Sequence, residues 1–461
     1  MRVILPGKPF HRIGFSTMWA GSTYGGARKS PSVSAIGLFG LAAAATLTIF
    51  IRDPRIAWGY ALGIFLLAGY GCFLEIRTPN SLRFTVAGVA IAVISLWGFA
   101  QLAAGATVFR SATWDAALRT MALGATALVA ANALRDRGTR LRFLTAFAWF
   151  GFVLSVVSVV AYFTSPGHVL WFFSSPYPDV WGPFLSRNDF AGFIELSLPV
   201  ALWLSAEARV PLWVPAWMLA AGLASGSRAG AVLLLVEVGL VMALTSRRRA
   251  IAKFVVLAAL LAMVAGAGTL VGRFAERDPF RYRREMAASS VQMIRDHPWR
   301  GWGLGTYASV YPAYATFDLG ATVEHAHNYW LEWAAEGGIP LALVWLVLGL
   351  AVSVPAMRSV WGIGILAVFL HALVDYPFAR FGLTAWNFTL LGVLSVRGVG
   401  LTGHSLLGEN HGETRIFGGV ARRDADATAG DCPAKGGGGI SCDWNDCDPR
   451  RLPAEPRYLD Q

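Results

Sequence analysis

The feature that most constrains this chain is a series of apolar runs, each close to the roughly 20 residues that a helix needs to cross a bilayer. Of the 461 residues, 55% are hydrophobic and only 15% are charged, whereas a soluble protein carries about 25% charged residues. The sequence therefore predicts an all-α, polytopic integral membrane protein with about twelve transmembrane helices. The predicted spans are 33–51, 56–75, 84–104, 114–133, 143–164, 190–206, 211–227, 229–245, 250–272, 338–356, 359–374 and 381–397.

The polar segments divide this membrane domain, which we predict at 33–400, from its flanks. Residues 1–32 are basic and are predicted to be cytoplasmic, since positive charge favours the inner side. Alternating spans then place the large polar loop at 273–337, between the ninth and tenth helices, outside the cytoplasm. The tail at 401–461 is polar, contains a GGGG run, and is predicted to be cytoplasmic and disordered.

The net charge of +11 could indicate a nucleic-acid partner. The arginines, however, lie mainly between apolar runs, so anionic lipid or phosphate ligands are the expected partners and no nucleic acid is expected. One cysteine lies in an apolar run and three lie in the tail, so no disulfide framework is predicted for the large loop, and the tail cysteines lack the CxxC spacing of a zinc site. The four cysteines are Cys72, Cys432, Cys442 and Cys447.

Two short polar motifs precede predicted helices. In SRNDFAG, Arg187 and Asn188 either belong to a helix cap or line a polar site at the membrane surface. In ASGSRAG, Arg228 interrupts two apolar runs. It either snorkels to the interface or binds an anionic ligand, since a guanidinium matches phosphate oxygens with paired donors.

The large loop begins with an arginine cluster that includes Arg283 and Arg284, which indicates either a solvated surface or a phosphate-binding site. The residues that follow predict a short amphipathic helix that lies on the membrane. Its apolar side would be formed by Met286, Val291, Met293 and Ile294.

Histidines mark the end of the loop and the next turn. In EHAHNYWLEW, His325, His327 and Asn328 form a candidate site, because histidine can accept a proton from a hydroxyl near neutral pH. The spacing lacks the HExxH pattern, so no metal is expected there. In HALVDYPFAR, His371 and Asp375 are spaced i,i+4, either as a structural pair or as an outer ring of the site.

Together these motifs carry a family resemblance. The chain resembles the O-antigen ligase / O-antigen polymerase superfamily of bacterial polysaccharide-assembly membrane proteins. The resemblance rests on SGSRAG, on RREM…IRDHPWRGWGLGTY and on HAHNYWLEWAAEGGIP, in this order. It implies about twelve helices, a catalytic loop between the ninth and tenth, and transfer of a glycan from an undecaprenyl-pyrophosphate carrier to an acceptor.

The resemblance also implies roles for particular residues. Arg228 matches the family's SR motif, Arg283 best matches its loop arginine, with Arg284 not excluded, and His327 matches its histidine. Two arginines would neutralise the leaving pyrophosphate, and His327 would deprotonate the acceptor hydroxyl without a metal or other cofactor. The expected place is the bacterial inner membrane, with the active site facing the periplasm and a glycan or lipid A-core as acceptor.

Several functions stay open at this point. A ligase, a repeat-unit polymerase and a protein O-oligosaccharyltransferase differ in their acceptor, and we favour the ligase. A membrane transporter is a different class, which would place ionisable residues within spans. Glu195 and Glu237 are two such residues.

Overall fold

The structure, a computed structural model, does not describe the whole chain. It describes residues 32–47, 54–77, 83–175, 177, 179–244, 248–266, 270, 272, 281–316 and 322–395. Contacts divide the chain into 1–401 and 402–461, and all described residues belong to the first unit. The predicted N-terminal segment (except Ser32), the predicted tail with its three cysteines, and loop residues 273–280 and 317–321 lie outside the described residues.

Within the described residues, the chain is almost entirely helical, as predicted. The helices are α1 (Val33–Leu47), α2 (Pro54–Arg77), α3 (Val86–Ala103), α4 (Arg110–Ala133), α5 (Arg137–Thr164), α6 (Arg187–Ala206), α7 (Trp213–Ala224), α8 (Arg228–Leu244), α9 (Arg248–Val264), α10 (Arg281–Asp296), α11 (Tyr307–Val310), α12 (Tyr329–Ser359), α13 (Ile363–His371) and α14 (Phe381–Ser395). An antiparallel hairpin of β1 (His168–Val169) and β2 (Phe173–Ser174) follows α5.

Six of the described helices are long and apolar enough to cross a membrane, which confirms a multi-pass membrane protein. The predicted number of about twelve spans stays a prediction, because several predicted spans correspond to shorter apolar helices. The six are Ala57–Leu74, Val86–Ala103, Arg110–Ala133, Arg137–Thr164, Arg187–Ala206 and Tyr329–Ser359.

The helix α6 lies in the interior of the helical unit and positions the polar end described below. Most of its side chains are buried, because apolar residues surround its axis and other helices cover every face. Ser186 caps its beginning by accepting a hydrogen bond from the Asn188 backbone at 3.2 Å. The helix α13 packs closely on it at Gly364, where a Cβ would lie 2.3 Å from the Glu195 carbonyl oxygen.

The helix α12 begins nine residues before the predicted span at 338–356. Asn328 caps it by accepting a hydrogen bond from the Leu331 backbone at 3.1 Å, and the helix then kinks at Gly338, which has φ 78° and ψ 173°. Glycine adopts this backbone conformation without the steric penalty of a Cβ. The kink separates two initial helical turns from the longer apolar part of the helix.

The helix α10 forms as predicted, but the prediction that its apolar side lies on the membrane is wrong. Met286 and Met293 are buried against Tyr307 and Tyr311 in a small second core. Val291, which was assigned to the same apolar side, is 36% exposed. The aromatic side chains after the glycine-rich turn offer α10 a protein surface to bury its methionines, which the periodicity of the helix alone could not reveal.

Candidate functional site

The candidate site is organised around the carboxylate of Asp375, which lies in the turn after α13. One oxygen lies 3.1 Å from Nδ1 of His327, and the other accepts a hydrogen bond from the side-chain amide of Asn188. The Arg283 guanidinium lies 3.6 Å from that second oxygen. Three polar side chains from separate parts of the sequence therefore meet at one buried carboxylate, whose side chain is 7% exposed.

The charge state of Asp375 follows from these neighbours. Burial by itself would raise the pKa of the Asp375 carboxyl, but the hydrogen bond with His327 and the charge of Arg283 hold this pKa well below its usual range. The carboxyl is therefore ionised at neutral pH. It can accept a hydrogen bond from a protonated ring nitrogen, but it has no proton to donate.

This ionised neighbour determines the tautomer of His327. An ionised carboxylate only accepts hydrogen bonds, so Nδ1 of the neutral ring carries the proton and Nε2 keeps its lone pair. The side chain is 31% exposed, and its backbone has φ 50°, an uncommon value for a residue other than glycine. Within the cluster, His327 is thus the group that can accept a proton from an incoming hydroxyl.

A second carboxylate, that of Glu332, holds the backbone around His327. One oxygen lies 2.8 Å from Nδ1 of His325, and the other accepts a hydrogen bond from the Ala326 backbone at 2.9 Å. Burial by itself would lower the pKa of His325, but the Glu332 carboxylate raises it above its usual value. Since Glu332 lies in the first turn of α12, the helix fixes the segment that precedes it.

Arg380 and Tyr376 form the next layer of the cluster. Nε of Arg380 lies 2.8 Å from a carboxylate oxygen of Asp189, and its guanidinium lies 5.4 Å from the ring centre of Tyr376. The Tyr376 ring stacks on His325 at 4.4 Å and meets His327 edge-on at 4.8 Å. Burial, with the carboxylates of Asp189 and Asp375, raises the pKa of Tyr376, so its phenol stays protonated at neutral pH.

The glycine-rich turn PWRGWGLG packs on the beginning of α12. Gly301 has φ 65°, and a Cβ there would lie 2.3 Å from the Glu336 carbonyl oxygen. The Gln101 amide donates to the carbonyls of Arg300, at 2.7 Å, and Glu336, at 2.9 Å. The Glu336 carboxylate accepts a hydrogen bond from the Tyr307 backbone at 3.0 Å. The turn is thereby held against α3 and the beginning of α12.

The other predicted site residues have different surroundings. Arg228 is half-buried and is the first residue of α8. The beginning of α8 packs against the beginning of α6, because a Cβ at Gly230 would lie 2.5 Å from the Ala191 Cβ. Arg187 forms an ion pair with Asp179. Arg284 is exposed on α10, and Asn328 serves as the cap of α12.

Of the two alternatives for His371 and Asp375, a structural pair on one helix face or an outer ring of the site, the structural pair is not observed. The helix α13 ends at His371, whose Nδ1 lies 2.8 Å from a carboxylate oxygen of Glu195 on α6. The backbone nitrogen of Asp375 still donates to the His371 carbonyl at 3.0 Å. His371 thus pairs with the Glu195 carboxylate of α6, a helix distant in sequence. Asp375 instead contacts His327.

Sequence reasoning did not assign site roles to Asp189, Glu332, Glu336, Gln101 or Arg380. Glu332 lies within the EHAHNYWLEW motif and Asp189 within SRNDFAG, so a signal existed for both, because each is a carboxylate inside a motif that carries candidate residues. No spacing rule links Gln101 or Arg380 to the loop. Among the described residues, no group of three His, Cys, Asp or Glu side chains could hold a metal ion.

Comparison with known proteins adds an independent finding. Residues 213–346 match the model of the O-antigen ligase family, which confirms the predicted resemblance to that superfamily. The matched segment includes Arg228, Arg283 and His327, and it ends before Asp375. A search of curated proteins gives no match.

Proposed function

We propose that the chain transfers an undecaprenyl-pyrophosphate-linked glycan to an acceptor hydroxyl. The match of residues 213–346 to the O-antigen ligase family model supports this activity. The proposed place is the outer face of the bacterial inner membrane, with the cluster around Asp375 facing the periplasm. A lipid A-core acceptor would make the protein a ligase. The observation that carries the proposal is the contact of a histidine and an arginine with one ionised carboxylate.

In the proposed reaction, Nε2 of His327 accepts the proton of the acceptor hydroxyl as its oxygen attacks the anomeric carbon. The new bond joins that oxygen to the sugar, and the bond between the anomeric carbon and the pyrophosphate breaks. The pyrophosphate of the carrier leaves with the electron pair. Attack from the face opposite the leaving group inverts the configuration at the anomeric carbon.

Asp375 acts through His327 in this scheme. It keeps the Nδ1 proton in place, so that Nε2 faces the acceptor as a base, and its charge stabilises the imidazolium that forms. Asn188, which donates to the other oxygen, fixes the orientation of the carboxylate. Glu332 holds the backbone segment through His325 and Ala326.

Arginines supply the charge that the leaving pyrophosphate requires. The Arg283 side chain is 28% exposed and lies 3.6 Å from Asp375, which is longer than a close ion pair, so its remaining guanidinium donors can bind phosphate oxygens. Arg228 would approach from the beginning of α8. Arg187, Arg284 and Asn328 stay proposed substrate contacts of the surrounding surface.

A repeat-unit polymerase of the same superfamily and a protein O-oligosaccharyltransferase are the alternatives, since they share this chemistry and differ in the acceptor. The family match favours all three over a transporter. Glu195, one of the two acidic residues that suggested a transporter, is paired with His371.

The test is His327→Ala in cells that assemble a surface glycan. We expect long surface glycan to disappear while the protein stays in the membrane, with His168→Ala, an exposed histidine of the β-hairpin, as matched control. Long carrier-linked polymer would accumulate for a ligase, and short repeats on the acceptor for a polymerase. A normal glycan ladder in the His327 variant would refute the proposed mechanism.

A further inference from the structure

The β-hairpin after α5 exposes an unusual amount of aromatic surface. Its register pairs His168 with Ser174 and Val169 with Phe173, and its turn exposes 78% of Phe172 and 52% of Phe173. Leu170 and Trp171 have φ values of 47° and 70°, which are strained for side chains with a Cβ. The strained turn directs large apolar side chains away from the protein.

The hairpin is held at the end of a membrane helix. Nε1 of Trp171 donates to Oγ1 of Thr164 at 2.7 Å, and Thr164 is the last residue of α5, one of the helices that can cross a membrane. The Ser175 backbone donates to the Gly167 carbonyl at 2.8 Å and closes the base of the hairpin. The turn therefore stays close to the level at which α5 ends.

The exposed surface of α5 continues toward this turn. Val153, Val160 and Phe163 are each about half exposed on α5, as expected for the lipid-facing side of a membrane helix. Thr164, which bonds to Trp171, directly follows Phe163 in the chain. The aromatic turn thus continues the exposed apolar side of α5 beyond the end of that helix.

The chemistry of the turn fits lipid better than sugar. From Val169 to Phe173 the side chains are Val, Leu, Trp, Phe and Phe, without a charge, hydroxyl or amide. The Trp171 indole, the only polar group among them, is already bonded to Thr164. A sugar site would need convergent polar groups beside the aromatic faces, whereas aromatic side chains without such groups favour the membrane interface.

We propose that residues 170–173 insert into the interfacial layer of the bilayer, where lipid covers Phe172 and Phe173. The chain passes from this hairpin to the beginning of α6, where Asn188 contacts Asp375. Residues 170–173 therefore lie at the same end of the helices as the candidate site. This proposal does not depend on the proposed glycan transfer, since it concerns only how the surface meets lipid.

The experiment places a single environment-sensitive fluorophore on the full chain in lipid nanodiscs. The four native cysteines are replaced by alanine, and Phe172→Cys is labelled. The matched control is Gln292→Cys, an exposed polar position on α10. Fluorescence quenching is measured with aqueous iodide and with lipids that carry a nitroxide near the headgroup.

We expect the nitroxide lipid to quench the label at position 172 strongly. We expect iodide to quench the label at position 172 several-fold less than the label at position 292. Trp171→Phe removes the donor to Thr164 and should raise iodide quenching at position 172. Equal iodide quenching at the two positions would overturn the proposal, because the turn would then be in water. Protection from both quenchers would also overturn it, because protein rather than lipid would cover the turn.

Discussion

Nδ1 of His327 lies 3.1 Å from a carboxylate oxygen of Asp375, although the two residues belong to separate polar segments on either side of α12 and α13. The carboxyl is ionised at neutral pH because its neighbours hold its pKa low. The contact therefore defines which nitrogen of His327 can act as a base.

Asp375→Asn is expected to lower the rate of glycan transfer about 10²–10⁴-fold. The amide keeps the size of the side chain, but it can donate to Nδ1 and so favours the tautomer with the wrong nitrogen protonated. The rate is measured with reconstituted protein and lipid-linked donor. Asp296→Asn, an exposed carboxylate on α10, is the control, and equal rates in the two variants would contradict the role of Asp375.

Arg283 and Arg284 are adjacent, but only the first is half-buried, and its guanidinium is ion-paired with Asp375. We expect Arg283→Lys to lower transfer about 10²-fold, since an ammonium cannot reproduce the planar paired donors of a guanidinium. Arg284→Lys should have a much smaller effect. The two variants serve as controls for each other, and a larger loss at Arg284 would reverse the assignment.

Glu332→Ala should lower the turnover rate at least about tenfold, because the segment that holds His327 loses both of its carboxylate contacts. Glu332→Gln should recover much of this loss, since its amide oxygen can still accept from the Ala326 backbone. Turnover and KM for the donor are measured separately. A change in KM alone would indicate that Glu332 acts on substrate binding. The control is Glu207→Gln, at an exposed position that follows the last residue of α6.

The stability contribution of His325 should depend on pH. Glu332 raises the folded-state pKa of His325 above its ordinary value of 6.5, so this contribution is fully present below about pH 6.5 and is lost as the pH rises through the raised pKa. The difference in thermal midpoint between the native protein and His325→Asn should therefore be larger at about pH 5.5 than at about pH 9. A difference that grows toward alkaline pH would contradict this sign, and His168→Asn provides the comparison.

His371→Ala should destabilise the protein by about 3–5 kcal/mol, because it leaves the Glu195 carboxylate buried without its partner. Replacing both residues by leucine should be far less harmful, since well-packed apolar side chains can substitute for a buried ion pair. Unfolding in detergent measures both. If the double variant is as unstable as the single one, the loss arises from packing and not from the unpaired carboxylate.

Much of the architecture could be predicted from local sequence. Apolar runs indicated membrane helices, although α12 begins at Tyr329, nine residues before the predicted span. The motif histidines and arginines were also identifiable as candidates. The membrane face of α10 was mispredicted, because amphipathic periodicity gives a helix one apolar side without identifying what covers that side.

The pairings within the candidate site required the tertiary structure. The i,i+4 spacing of His371 and Asp375 allowed either a structural pair or an outer ring of the site, and in the structure His371 pairs with Glu195 on α6. Asp375 is then available to His327 and Asn188, which lie 48 and 187 positions away in the chain. No periodicity relates such distances.

The sequence by itself determined that the protein is a multi-pass helical membrane protein with an arginine–histidine motif set. Hydrophobic length and local capping depend only on neighbouring residues, so they can be read along the chain. Only the tertiary structure decided which carboxylate meets which histidine, because hydrogen bonds and ion pairs depend on the separation of atoms in space. The packing of α6, α12 and α13 brings Asn188, His327 and Asp375 within that range.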